Sequence, residues 1–88
     1  MKKILKIVLK ASELTYDIPK CGIIRYVDHF KYEICLWIEI DLNQPIEQRH
    51  FEIFPDNSII PNELIYIGTV FIKKYKEIYH IYEYPKSL

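Results

Sequence analysis

Residues 34–41 constrain the fold of this chain more than any other stretch. Ile34, Leu36, Ile38 and Ile40 alternate with Cys35, Trp37, Glu39 and Asp41. A period of two puts each set on its own face of a β-strand, with the aliphatic set turned to a core. β-branched residues and the single Trp suit a pleated surface. Strand-like runs lie on both sides, so this segment is expected inside a sheet.

The same period recurs along the chain. Residues 4–10 predict a first strand, with Leu5, Ile7 and Leu9 on one face and Ile4, Lys6, Val8 and Lys10 on the other. A short helix competes there, because Leu5 and Leu9 are also four apart. Residues 14–18 predict a short second strand, ended by Pro19-Lys20-Cys21-Gly22. Residues 23–29 give a third, with Ile24, Tyr26 and Asp28 on one face and Ile23, Arg25, Val27 and His29 on the other. The short link from Phe30 to Glu33 implies an antiparallel hairpin. Residues 42–48 read as a polar loop around Pro45.

Residues 49–54 predict a fifth strand, with Arg49, Phe51 and Ile53 opposite His50, Glu52 and Phe54. Pro55-Asp56-Asn57-Ser58 is a turn, and residues 59–64 are expected to form an irregular segment or a single helical turn. Residues 65–73 predict a sixth strand, with Tyr66, Gly68, Val70 and Ile72 on one face. Gly68 inside it suggests a bulge or a close backbone approach. After a loop at 74–77, residues 78–84 form the last strand, and the tail at 86–88 is expected to be mobile. The sum is an all-β chain: one domain over 1–88, structured over 4–84, built as a small antiparallel β-sandwich or partly open barrel of six to seven strands.

Twelve basic and twelve acidic residues cancel. The chain therefore lacks the broad positive field of a protein that grips nucleic-acid backbones. Near-zero net charge removes one protection against self-association, so a homo-oligomer is expected. The apolar run after Met1-Lys2-Lys3 is broken by Lys6 and Lys10, with no small-residue cleavage site. No apolar stretch approaches the ~18 residues that span a bilayer. A cytoplasmic protein without membrane contact is the expectation.

Little suggests catalysis. His29, His50 and His80 lie far apart, and Cys21 and Cys35 are not spaced as metal ligands. No glycine-rich phosphate loop or nucleophile motif is present. No acid, base and nucleophile grouping can be assembled, so neither an enzyme nor a cofactor is expected. The aromatic side chains exceed what so small a core can take in. Tyrosine prefers half-buried positions, and aromatic faces stack on bases. Arg25, Trp37, Arg49, Tyr66, His80 and Tyr82 form the candidate ligand-binding set, with the arginines as phosphate holders. Phe30 and Tyr32 at the hairpin tip are candidate protein contacts. Against this stands the plain alternative that Tyr replaces Val on a β-rich surface.

Pro19-Lys20, Cys35-Leu36-Trp37 with Asp41, Arg49, Tyr66-Ile67-Gly68-Thr69 and Tyr79-His80-Ile81-Tyr82-Glu83 occur in that order. This order resembles a family of small proteins of unknown function found mostly in bacteriophages and prophages. The chain departs from the family pattern at Lys31-Tyr32, where an Asn-Gly type turn is usual. It departs again at residues 55–59, where a Gly-Thr-Gly-His-Pro-like loop is usual. The resemblance implies a counter-defence factor acting in the infected bacterial cell. Such a factor sequesters a small nucleotide signal or docks on a host defence protein. A structural or assembly component of the virion is the remaining alternative.

Overall fold

The computed structural model describes residues 1–86. Ser87 and Leu88, in the tail expected to be mobile, lie outside the described residues. Seven strands follow in order: β1 (Lys2–Leu9), β2 (Thr15–Pro19), β3 (Ile23–Phe30), β4 (Glu33–Asp41), β5 (Ile46–Pro55), β6 (Ile65–Ile72) and β7 (Glu77–Glu83). A single 3-10 turn, Lys73–Tyr75, joins the last two. All pairings are antiparallel. One sheet has the order β1-β4-β3 and the other β2-β5-β7-β6. The chain is thus all-β, a small sandwich rather than a closed barrel. Residues 4–9 belong to a strand and not to the competing helix, and Lys10 makes only an isolated bridge to Glu13.

The alternation in β4 sets the core. Ile34, Leu36, Ile38 and Ile40 are buried, and pack with Ile18, Phe51, Val70, Ile72 and Ile81 of the other sheet. Each such side chain contributes about 1.5–3 kcal/mol on burial. Cys35 is also fully buried, although its register partners Val8 and Asp28 place it on the outer face. Burial pushes its thiol above the usual range, and both cysteines are free.

Two strand faces differ from the sequence expectation, for one reason. In β3, Ile24 pairs with Ile38 and Tyr26 with Trp37, so Arg25 is the extra residue of a bulge. In β6, Tyr66 pairs with Tyr82 and Gly68 with Ile81, so Ile67 is extra. A bulge resets the two-residue alternation. Ile24 and Val27 therefore face the core while Tyr26 and Asp28 face out; likewise Gly68 and Val70 face in while Tyr66 faces out. The two bulged strands are the edges of different sheets and meet at Gly68. A Cβ there would lie 3.2 Å from Val27 Cβ, so glycine permits the approach.

β5 also starts earlier than expected. Glu47 and Gln48 pair with Ile18 and Asp17, and the loop before them shrinks to Leu42–Pro45. Glu47 faces inward beside its partner Ile18 while Ile46 is exposed, so the usual apolar-in alternation is inverted there and conceals the strand. At the remaining open edge, the Tyr16 hydroxyl accepts the Lys10 N–H at 3.1 Å and donates to the Glu13 carbonyl. That ties the turn between β1 and β2 to the sandwich.

Three carboxyls titrate below their ordinary range. Asp28 is held down first by the His29 N–H and then by the Tyr26 hydroxyl, Glu39 by Arg25, and Glu47 by Lys86. A depressed folded-state pKa contributes stability above the unfolded value, which is lost as pH falls through the folded one. The melting temperature is expected to fall as the pH drops below the ordinary carboxylate value of about 4 and these groups protonate. A flat thermal-melt profile below that pH would contradict the assignment.

Candidate functional site

Two tight turns build an apolar cleft into the surface. Lys31, between β3 and β4, and Lys76, between the 3-10 turn and β7, both adopt the left-handed conformation, with φ of 56° and 53°. These turns bring Tyr32 and Tyr75 together, with ring centroids 5.3 Å apart. Lys74 Nζ lies 5.9 Å from one ring centre and 5.7 Å from the other, within cation–π range. Beneath the rings, the two sheets part into a cleft of about 530 Å³. Leu9, Ile34, Ile53 and Ile72 line its apolar part, and Glu77 and Tyr79 complete its wall. The Tyr79 hydroxyl donates to Glu77 Oε2 at 2.6 Å, and this bond raises the phenol's pKa. The volume falls within the range of small-molecule pockets, roughly 300–1,000 Å³.

The six candidate ligand-binding residues are divided among three places. Trp37 stands on the outer face of the three-stranded sheet, with its ring centre 5.5 Å from that of Tyr26. Phe30 shares this face, and Lys6 Nζ sits 5.1 Å from the Phe30 ring centre and 5.9 Å from that of Trp37. Arg25 reaches Glu39 at 3.3 Å and borders the groove where the bulges of β3 and β6 face each other.

Tyr66, His80 and Tyr82 share the outer face of the four-stranded sheet. Tyr82 packs edge-on against Tyr66 at 5.4 Å and against Phe54 at 5.6 Å. A hydrogen-bonded chain runs from the Tyr66 hydroxyl to Thr69 Oγ1 at 2.6 Å, and on to His80 Nδ1 at 3.0 Å. His80 Nε2 then meets Asp56 Oδ1 at 2.7 Å. This chain ties the Pro55–Ser58 turn to the sheet and fixes the imidazole between two partners. It joins a turn to two strands, so no local spacing announced it. Thr69 Oγ1 already meets both Tyr66 and His80.

Arg49 lies inside the sandwich. Nε and Nη2 donate to the two oxygens of Glu83 at 2.6 and 2.7 Å, and Nη1 donates to the Gly22 carbonyl at 2.7 Å. The side chains are only 10% and 9% exposed. Each guanidinium nitrogen thus donates one hydrogen bond, and the Glu83 bond raises the pKa further. Among the described residues, no group of three or more His, Cys, Asp or Glu side chains is placed to hold a metal ion.

Of the two hairpin-tip residues, Tyr32 joins the cleft and Phe30 the outer face beside Lys6. Sequence reasoning overlooked Lys74, Glu77, Tyr75 and Tyr79 as a site. Their one signal is the density of lysine and tyrosine in residues 73–79. Among the described residues, no helix is long and apolar enough to cross a membrane.

No curated protein and no solved structure matches the chain. The family model described as a domain of unknown function (DUF7352) matches residues 1–87, and the chain therefore belongs to that family.

Proposed function

We propose that this is a non-enzymatic binding protein that captures a small nucleotide, in keeping with a phage factor that blunts a nucleotide signal of host defence. The observation that carries the reading is the cleft under Tyr32 and Tyr75. Two tyrosine rings flank it, its depth is apolar, and a lysine ammonium lies over the same rings. A base can stack on such rings while its phosphate meets Lys74, and the two contacts reinforce each other. Capture needs no general base or nucleophile, only a pre-formed cleft on a rigid scaffold. A panel of linear and cyclic nucleotides, tested by thermal shift and calorimetry, checks the proposal. At least one is expected to raise the melting temperature by several degrees, and Tyr75→Ala is expected to abolish the rise. No shift with any of them up to about 1 mM would overturn it.

A second reading is a protein-binding inhibitor of a host defence protein. It draws on the exposed face formed by Tyr26, Phe30 and Trp37 under Lys6, beside exposed Ile4 and Ile23. Aromatic anchors of this kind concentrate at protein interfaces. The same face suits self-association of the near-neutral chain. A stoichiometric host protein, retained by the wild type and released by Trp37→Ala, would favour this reading over nucleotide capture.

A further inference from the structure

We propose that Glu77 makes the cleft selective for guanine nucleotides over adenine nucleotides; this rests on the nucleotide-capture reading above. Glu77 is the only charged residue lining the cleft among the described residues, and the other polar side chains there are the phenols of Tyr32, Tyr75 and Tyr79. Its carboxylate is oriented, because Oε2 accepts the Tyr79 hydroxyl at 2.6 Å. A carboxylate only accepts hydrogen bonds and has about four lone-pair sites. One bond from Tyr79 therefore leaves Oε1 and the rest of Oε2 able to accept from a ligand.

A base stacked on the tyrosines turns one edge to this wall. Guanine offers two adjacent donors on its Watson–Crick edge, N1–H and the N2 amine. They match the two oxygens of one carboxylate as a fork matches a fork. Adenine offers a donor at N6 but a lone pair at N1, which would face a carboxylate oxygen without a proton between them. Cytosine has the same donor-beside-acceptor order, and uracil has a single N–H between two carbonyls. Guanine alone satisfies the wall without an unpaired or repelled atom, and an unpaired polar group in a cleft is costly. The phosphate would lie towards the lysine side of the mouth, at Lys74 above the rings.

Calorimetric titration of the full chain with the 5′-monophosphates of guanosine, inosine and adenosine tests the proposal. Inosine keeps N1–H and lacks the amine, so it separates one hydrogen bond from two. The expected order is guanosine tightest, inosine intermediate and adenosine weakest, with about tenfold or more between the extremes. Glu77→Gln keeps size and exposure but presents one acceptor and one donor, the pattern that pairs with adenine. This variant is expected to erase or reverse the preference while binding persists. If adenosine monophosphate binds as tightly as guanosine monophosphate, or if Glu77→Gln keeps the wild-type order, the selectivity is overturned and capture stands. If none of the three binds and the wider panel is also silent, the capture reading itself falls.

Discussion

Replacing Glu83 with alanine is expected to lower the unfolding free energy by about 3–5 kcal/mol, the range for breaking a buried ion pair by removing one partner. The Arg49 guanidinium would stay in the sandwich with the Gly22 carbonyl as its only remaining hydrogen-bond partner from the wild-type set. A carbonyl solvates a charge but does not balance it. A chain of 88 residues has a total stability of roughly 4–13 kcal/mol at the usual figure per residue, so the loss is a large share of the whole. Urea unfolding at neutral pH would show the midpoint falling steeply. The pair also closes the turn before β3, because a Cβ on Gly22 would lie 3.0 Å from Ile38 Cγ2 and 3.4 Å from Arg49 Nη1. Removing both charges is a different experiment. Arg49→Met with Glu83→Leu strands no charge, and it is expected to stay much closer to wild type than either single truncation. A Glu83→Ala loss below about 1 kcal/mol, the level of an exposed pair, would show that water reaches the guanidinium.

The period-two pattern made the strands legible because it is local, and it failed wherever geometry was not. The faces of β4, β5 and β7 follow directly from alternation. Those of β3 and β6 break at Arg25 and Ile67, and no residue in either place differs visibly from an ordinary strand residue. Only Gly68, next to the second bulge, carries a hint, and its use is explained by Val27 from the other sheet. The bulge placed Tyr66 outside, beside Tyr82. Burial of Arg49 was hidden for a similar reason. Its partner Glu83 is 34 positions away, and an arginine at the head of a strand reads equally well as a phosphate holder or as half of an internal pair. The cleft was harder still. Leu9, Tyr32, Tyr75 and Tyr79 come from four segments, and only the sandwich brings their ends together. Tyr32 was singled out because its hairpin tip is aromatic. In the sequence Tyr75 reads only as part of the aromatic surplus, and Lys74 only as one of several lysines near it.

Truncating Phe51 to alanine is the other large effect expected, about 3–5 kcal/mol from lost transfer energy and the cavity left behind. Phe51 is fully buried and is the largest such side chain in the chain. It lies opposite Glu83 in the pairing of β5 with β7, and its N–H donates to the Leu14 carbonyl at 2.9 Å. Arg49 Cζ stands 5.8 Å from its ring centre, so the ring also faces the buried guanidinium. The cost therefore has two sources, a void in the apolar layer and a cation deprived of an aromatic face. Phe51→Leu separates them, since it refills much of the volume without restoring the π face. Phe51 and Glu83 flank the same charge, so their truncations are not expected to be independent. In a double-mutant cycle read by urea unfolding, the combined loss should fall short of the sum of the single losses by at least about 0.5 kcal/mol. Once the ring is removed, water can enter the void and solvate Arg49, which makes the further removal of Glu83 cheaper. Additivity within that margin would mean that the ring and the ion pair stabilise the sandwich separately, and that the 5.8 Å contact contributes packing alone.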